Sequence, residues 1–169
     1  MASLRIVLLC IASAVLYGIT QDQVTARVCV EYFTVGHPPL FDTDSPTLLA
    51  LGWGTVATWW VGLPLGIGLA VAARAGQGPQ RTASELIGPI ARLLGFIAGS
   101  AIAAGLVGWL LARAGVITLA PYLASRIAPD RHDAFLADGA AHLAAYAVGG
   151  LGGVVLCWRV RAARRRESA

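Results

Sequence analysis

Asp138, His142 and Tyr146 recur at intervals of four, which sets a carboxylate, an imidazole and a phenol on one face of a helix. Cys10, Ser13, Tyr17 and Gln21 recur at three, four and four, so they too share a face. Between these stands "DQVTARVCVEYFTVGH", residues 22 to 37, the most polar stretch of an otherwise apolar chain. A carboxylate beside a histidine can orient the ring or join it as a metal ligand. Glu31, His37, Asp138 and His142 form the candidate metal set, with His132 and Asp133 as further donors. The blander reading, a satisfied Asp–His hydrogen bond at a helix start, carries more weight. The chain contains no H-E-x-x-H, G-x-S-x-G, paired-cysteine or phosphate-loop motif that would raise the chemical reading. No cofactor is expected.

These residues need elements to hold them, and composition says what kind. Of 169 residues, 57% are hydrophobic and 13% charged, with a mean hydropathy of +0.69. Soluble domains carry about 25% charged residues. The apolar residues are gathered into runs near the ~20 residues that cross ~30 Å of hydrocarbon. An all-α membrane protein is expected, a bundle of four transmembrane helices over one domain, 1–169. The spans are expected at about 4–20, 48–73, 86–113 and 134–160. Loops 21–47 and 114–133 lie on one side, with 74–85 and a basic tail, 161–169, on the other.

The first run is short enough for a signal peptide to rival it, but no good small-x-small cleavage site follows, so a retained helix is expected. "DSP" at 44–46 introduces the second span, and Thr82 with Glu85 has capping-box spacing before the third. Pro64 is expected to kink the second span. Three G-x-x-x-G pairs, Gly62/Gly66, Gly95/Gly99 and Gly149/Gly153, supply small surfaces for close helix packing, within the chain or between copies. Trp53, Trp109 and Trp158 read as interfacial anchors. Trp59 and Trp60 lie mid-span, where aromatics usually pack against neighbouring helices.

All thirteen basic residues are Arg. With the amino terminus cytoplasmic, nine lie inside and four (Arg27, Arg113, Arg126 and Arg131) outside, as the positive-inside rule requires. Both termini are then cytoplasmic, and the charge is a topological clamp: nucleic acid is not expected as a partner. The lipid bilayer is, together with another membrane protein or a second copy through G-x-x-x-G faces. Cys10, Cys29 and Cys157 make no disulfide framework.

Val24, Ala26, Val28 and Val30 alternate with Thr25, Arg27, Cys29 and Glu31, a strand-like period. A hairpin-like pairing with "VITL" at 116–119 would satisfy its backbone, and Arg27 would pair with Glu31. Tyr17, Thr55, Thr58, His142 and Tyr146 fall at similar depth, so an outward-facing polar pocket beneath residues 22–37 is expected.

"YGITQDQVTARVCVEYFTVGHPP" followed by "ATWWVGLPLGIGLA" resembles a family of uncharacterised bacterial four-span membrane proteins with a D-Q-[VI]-T…E-Y-F-T segment and an A-T-W-W segment. The likeness covers mainly residues 17–70, more loosely the rest, and implies no activity; a bacterial inner-membrane location is expected. It marks Asp22, Gln23, Thr25, Glu31, Tyr32, Phe33, Thr34, Thr58, Trp59 and Trp60 as signature positions. Gln21 stands where that family often has His, which weakens a metal site there.

The pocket candidates are therefore Tyr17, Asp22, Gln23, Thr25, Arg27, Glu31, Tyr32, Thr58, Trp59, Trp60 and Tyr146. A non-enzymatic recognition or accessory protein is the leading reading. A membrane-embedded metal-dependent enzyme is the alternative. A small transporter comes third, because the inner halves of the spans offer only Cys10, Ser100 and Cys157 as a polar path.

Overall fold

The computed structural model describes residues 1–76 and 78–168. Gln77 of the expected 74–85 connection and Ala169 of the expected tail lie outside the described residues. Among the described residues every regular element is a helix: α1 (Ala2–Val28), α2 (Glu31–Thr34), α3 (Pro46–Val56), α4 (Trp59–Arg74), α5 (Ala83–Arg113), α6 (Pro121–Ala124) and α7 (His132–Arg166), the last entered through a turn of 3-10 helix at Pro129–Arg131. Among the described residues four stretches are long and apolar enough to cross a membrane: Ala2–Val28, Pro46–Arg74, Ala83–Arg113 and Pro129–Arg166. Large apolar side chains such as Leu16, Phe96, Ile102, Leu143 and Leu151 point outward, as lipid-facing positions do. The protein is a multi-pass four-helix membrane bundle.

The first helix runs eight residues beyond the expected end at 20, through the segment expected to be a strand. Among the described residues there is no strand, and 116–119 pairs with nothing as a ladder. The reason lies in which period is buried. Gly18, Asp22, Thr25 and Ala26 are buried on α1 and Cys29 just past it, spaced as one helical face, while Val24 and Val28 are exposed. The buried stripe is partly polar, so hydrophobic alternation pointed to the wrong residues. A helix also satisfies its own backbone, which an unpaired strand cannot.

The second span is broken at Ala57–Thr58, not at Pro64, which sits within the unbroken run of α4. At the break Thr58 N–H reaches only back to the Thr55 carbonyl, leaving the Gly54 and Ala57 carbonyls in need of donors. The Thr58 hydroxyl donates to Gly54 O at 2.5 Å, and the Tyr146 hydroxyl donates to Ala57 O at 3.3 Å. Irregular backbone at membrane depth requires such substitutes.

α1 packs along α3 and α4, α5 packs on α7, and α4 joins the two pairs. At the end that holds both termini, Ile6, Leu69, Ala70, Ala73, Leu86 and Ile90 form the core. Here Arg164 is buried, with its guanidinium donating to the carbonyls of Ala72 (2.7 Å), Ala75 (3.1 Å), Gly78 (3.3 Å) and Pro79 (2.8 Å). It ties the tail to the last turn of α4, whose terminal carbonyls lack helical partners. The Thr82–Glu85 capping box starts α5, and Arg81 bridges Glu85 and Glu167.

Glycine serves the packing unevenly. A Cβ at Gly62 would meet Ile11 Cα at 2.8 Å and Cys10 O at 2.9 Å, and one at Gly54 would meet Ile19 N, so α1 lies backbone to backbone on the second span. A Cβ at Gly95 or Gly99 would meet nothing within 4 Å among the described residues. The close approach of α5 to α7 runs instead through Gly108, where a Cβ would meet Ala140 Cβ at 2.7 Å.

Candidate functional site: a capped cavity among the four spans

At the end opposite the termini, residues 29–41 fold over the bundle. Tyr32 and Phe33 leave α2 on two sides: Phe33 packs with Ala26, Leu49, Ala50 and Trp53, and Tyr32 sits between Phe135 and the ring of His142. The Tyr32 and His142 rings stack at 4.7 Å and 24°. His37 Nδ1 donates to the Tyr32 carbonyl at 2.7 Å, and its ring lies 4.6 Å from that of Trp53. Trp53 is thus a buried member of the cap, not an interfacial anchor.

Arg131 holds this cap to the bundle. Its guanidinium donates to Val28 O at 2.8 Å, capping α1, and pairs with Glu31 at 3.4 Å. The expected Arg27–Glu31 pair is not made. Because the segment is helical, Arg27 reaches back one turn to Gln23 O (2.7 Å) and Gln23 Oε1 (2.6 Å), and across to Thr47 Oγ1 (3.2 Å). Burial raises the Glu31 carboxyl, but hydrogen bonds from its own backbone N–H and from the Cys29 thiol, with the Arg131 charge, bring it below the usual carboxylate range. The Cys29 thiol is fully buried, and burial together with its bond to Glu31 pushes it up to about 12.

Beneath the cap lies a cavity of about 170 Å³, bordered by all four spans. Its upper wall carries Tyr17, Gln21, Asp22, Tyr32, His37, Trp53, Thr58, His142 and Tyr146; its lower wall is built from Leu65, Leu69, Leu93, Ile97 and Leu156, with Cys10 and Cys157 at the same depth. Asp22, on α1, comes within 3.7 Å of His142 Nε2, and Thr25 Oγ1 shares a 3.0 Å hydrogen bond with the same nitrogen. His142 therefore takes its partners from α1 across the bundle, not from Asp138 one turn away as the spacing implied. Asp138 is buried, and its Oδ2 has no hydrogen-bond partner among the described residues. The same is true of Gln21 Oε1.

This geometry narrows the chemistry. In a nucleophile–histidine–acid relay, the hydroxyl and the acid engage opposite ring nitrogens. Here Thr25 and Asp22 both reach Nε2. Nor does the structure gather the metal candidates: Glu31 faces Arg131, His37 faces the Tyr32 carbonyl, and among the described residues no three His, Cys, Asp or Glu side chains converge as a metal set. What the cavity offers is a hydrogen-bonding head above an apolar shaft.

Of the pocket candidates, Tyr17, Asp22, Tyr32, Thr58 and Tyr146 line the cavity. Thr25 stands behind His142. Gln23, Arg27 and Glu31 lie off it: the first two tie α1 to Thr47 at the start of α3, and Glu31 pairs with Arg131. Trp59 and Trp60 point away, 47% and 56% exposed, because the break at 57–58 resets the helix just before them. Reading by sequence missed Trp53 and Phe33 as lining residues, along with the apolar shaft. The resemblance singled out Phe33 only as a signature position, and Trp53 read only as an interfacial anchor. No family model matches the chain, and neither do curated proteins or solved structures.

Proposed function

We propose that this is a bacterial inner-membrane protein with both termini cytoplasmic that works by binding, not turnover. The cavity holds a small ligand, and the Tyr32–Phe33–His37 cap closes over it and presents the bound state to another membrane protein or a second copy. The one observation that carries this reading is the cavity itself, walled by all four spans and roofed by ringed side chains. Ligand sites are concave and mostly apolar, with a few convergent polar groups, and ionisable residues within spans mark function by default. The arginine asymmetry supports the orientation, with nine of thirteen at the end of the termini. The bare face of Gly95 and Gly99 supports a helix partner. The resemblance over residues 17–70 belongs to the same reading, as a proposal of family.

The test is what the purified protein carries. Native mass spectrometry from mild detergent is expected to show a bound small molecule on the wild type. Gly149→Leu should lack it, since a Cβ there points at Ile97 Cδ1, 3.5 Å away on the cavity wall. A wild type free of ligand, with no thermal shift on adding membrane extract, would falsify the reading.

A further inference from the structure

We infer that the ligand is a single-chain amphiphile whose head donates hydrogen bonds and carries no negative charge. This rests on the binding reading above and adds the chemistry of the molecule bound.

Three observations converge on it. First, the head region leaves a lining acceptor without a donor. Gln21 Oε1 is buried beside the cavity with no partner among the described residues, and the Asp22 carboxylate lines the same wall, 3.7 Å from His142. A buried acceptor left unsatisfied costs about 1–3 kcal/mol, so a ligand O–H or N–H toward which the Gln21 amide turns removes a standing penalty. Second, the described residues that line the cavity include no arginine. An anionic head would enter a low-dielectric site beside Asp22 where the two imidazoles are already engaged, His37 with the Tyr32 carbonyl and His142 with Thr25, and unpaired charges are strongly disfavoured there. That argues against phosphate and carboxylate heads. Third, the body of the cavity is a slender apolar shaft. From Gln21 down to Cys10 along α1 is about 17 Å at 1.5 Å per residue, and both residues line it. With a volume of about 170 Å³, below the ~300–1,000 Å³ of common ligand sites, it suits one hydrocarbon chain and not the paired chains of a phospholipid. Gly149, Gly150 and Gly153 of α7 keep that shaft open where larger side chains would fill it.

The experiment uses the full chain in nanodiscs with three photoactivatable probes, dodecanol, dodecyl phosphate and dodecane, each carrying a diazirine near the chain end. Cross-linked peptides are then mapped. Dodecanol is expected to label the α5 wall around Leu93 and Ile97 about tenfold more than dodecyl phosphate. Gln21→Met should lower that labelling about threefold to tenfold, the worth of one hydrogen bond. Equal labelling by dodecyl phosphate overturns the inference. So does equal labelling by headless dodecane, which would leave a chain-binding cavity whose head groups are not read. Labelling of the wall by none of the probes removes the binding reading as well. The comparison of probes on the wild type needs no variant, so a Gln21→Met protein that misfolds leaves the test intact.

Discussion

His142 shows how a residue's role changes with its partner. Spaced four from Asp138, it invited a same-helix pair; in the structure it faces Asp22 and Thr25, whose helix arrives from more than a hundred positions away in sequence. The type of residue was legible, since an imidazole within a span demands a partner, but the partner's identity was not. Cys29 makes the same point through burial. In sequence it is a lone loop cysteine, whereas in the structure it is inaccessible and its thiol is pushed up to about 12. A raised value means almost no thiolate at pH 8, and the thiolate is the reactive form. Cys29 should therefore resist a membrane-impermeant maleimide in the folded protein and react once denatured. Rapid labelling of the native protein would show that the cap is open.

At the scale of elements, helix count followed from hydropathy but helix ends did not. The polar face of Asp22, Thr25 and Cys29 is a helical stripe that hydrophobicity cannot see, because what it buries is partly polar. The break at 57–58 was equally hidden. Pro64 is the visible breaker, yet the discontinuity lies where the Thr58 and Tyr146 hydroxyls replace backbone donors. Glycine motifs that look alike in sequence also differ in duty. Gly62→Leu should cost about 2 kcal/mol or more, since the new side chain meets α1 backbone that cannot give way. Gly95→Leu, facing open space, should stay within about 0.5 kcal/mol. Unfolding midpoints in detergent check both, and equal losses would mean that α1 does not lie against Gly62.

Across the whole molecule, the arginines divide into two kinds that charge counting merges. Arg165 and Arg166 are exposed, while Arg164 is 1% exposed and gathers four carbonyls of the 72–79 segment. Arg164→Ala should lower stability by at least about 2 kcal/mol, because it removes charge-assisted bonds and strands buried carbonyls. Arg165→Ala and Arg166→Ala should leave the unfolding midpoint nearly unchanged. If all three behave alike, the tail is only a topological anchor.

The amino-acid sequence by itself determined that four apolar helices form and that their ends are polar. Transfer of a twenty-residue run into hydrocarbon is a sum over neighbours along the chain, so local reading suffices. Only the tertiary structure decided that Asp22 meets His142, that Glu31 meets Arg131, and that an apolar shaft opens beneath Tyr32. Those outcomes depend on how far each helix continues and how closely its backbone approaches the next, and distance in sequence carries no record of either.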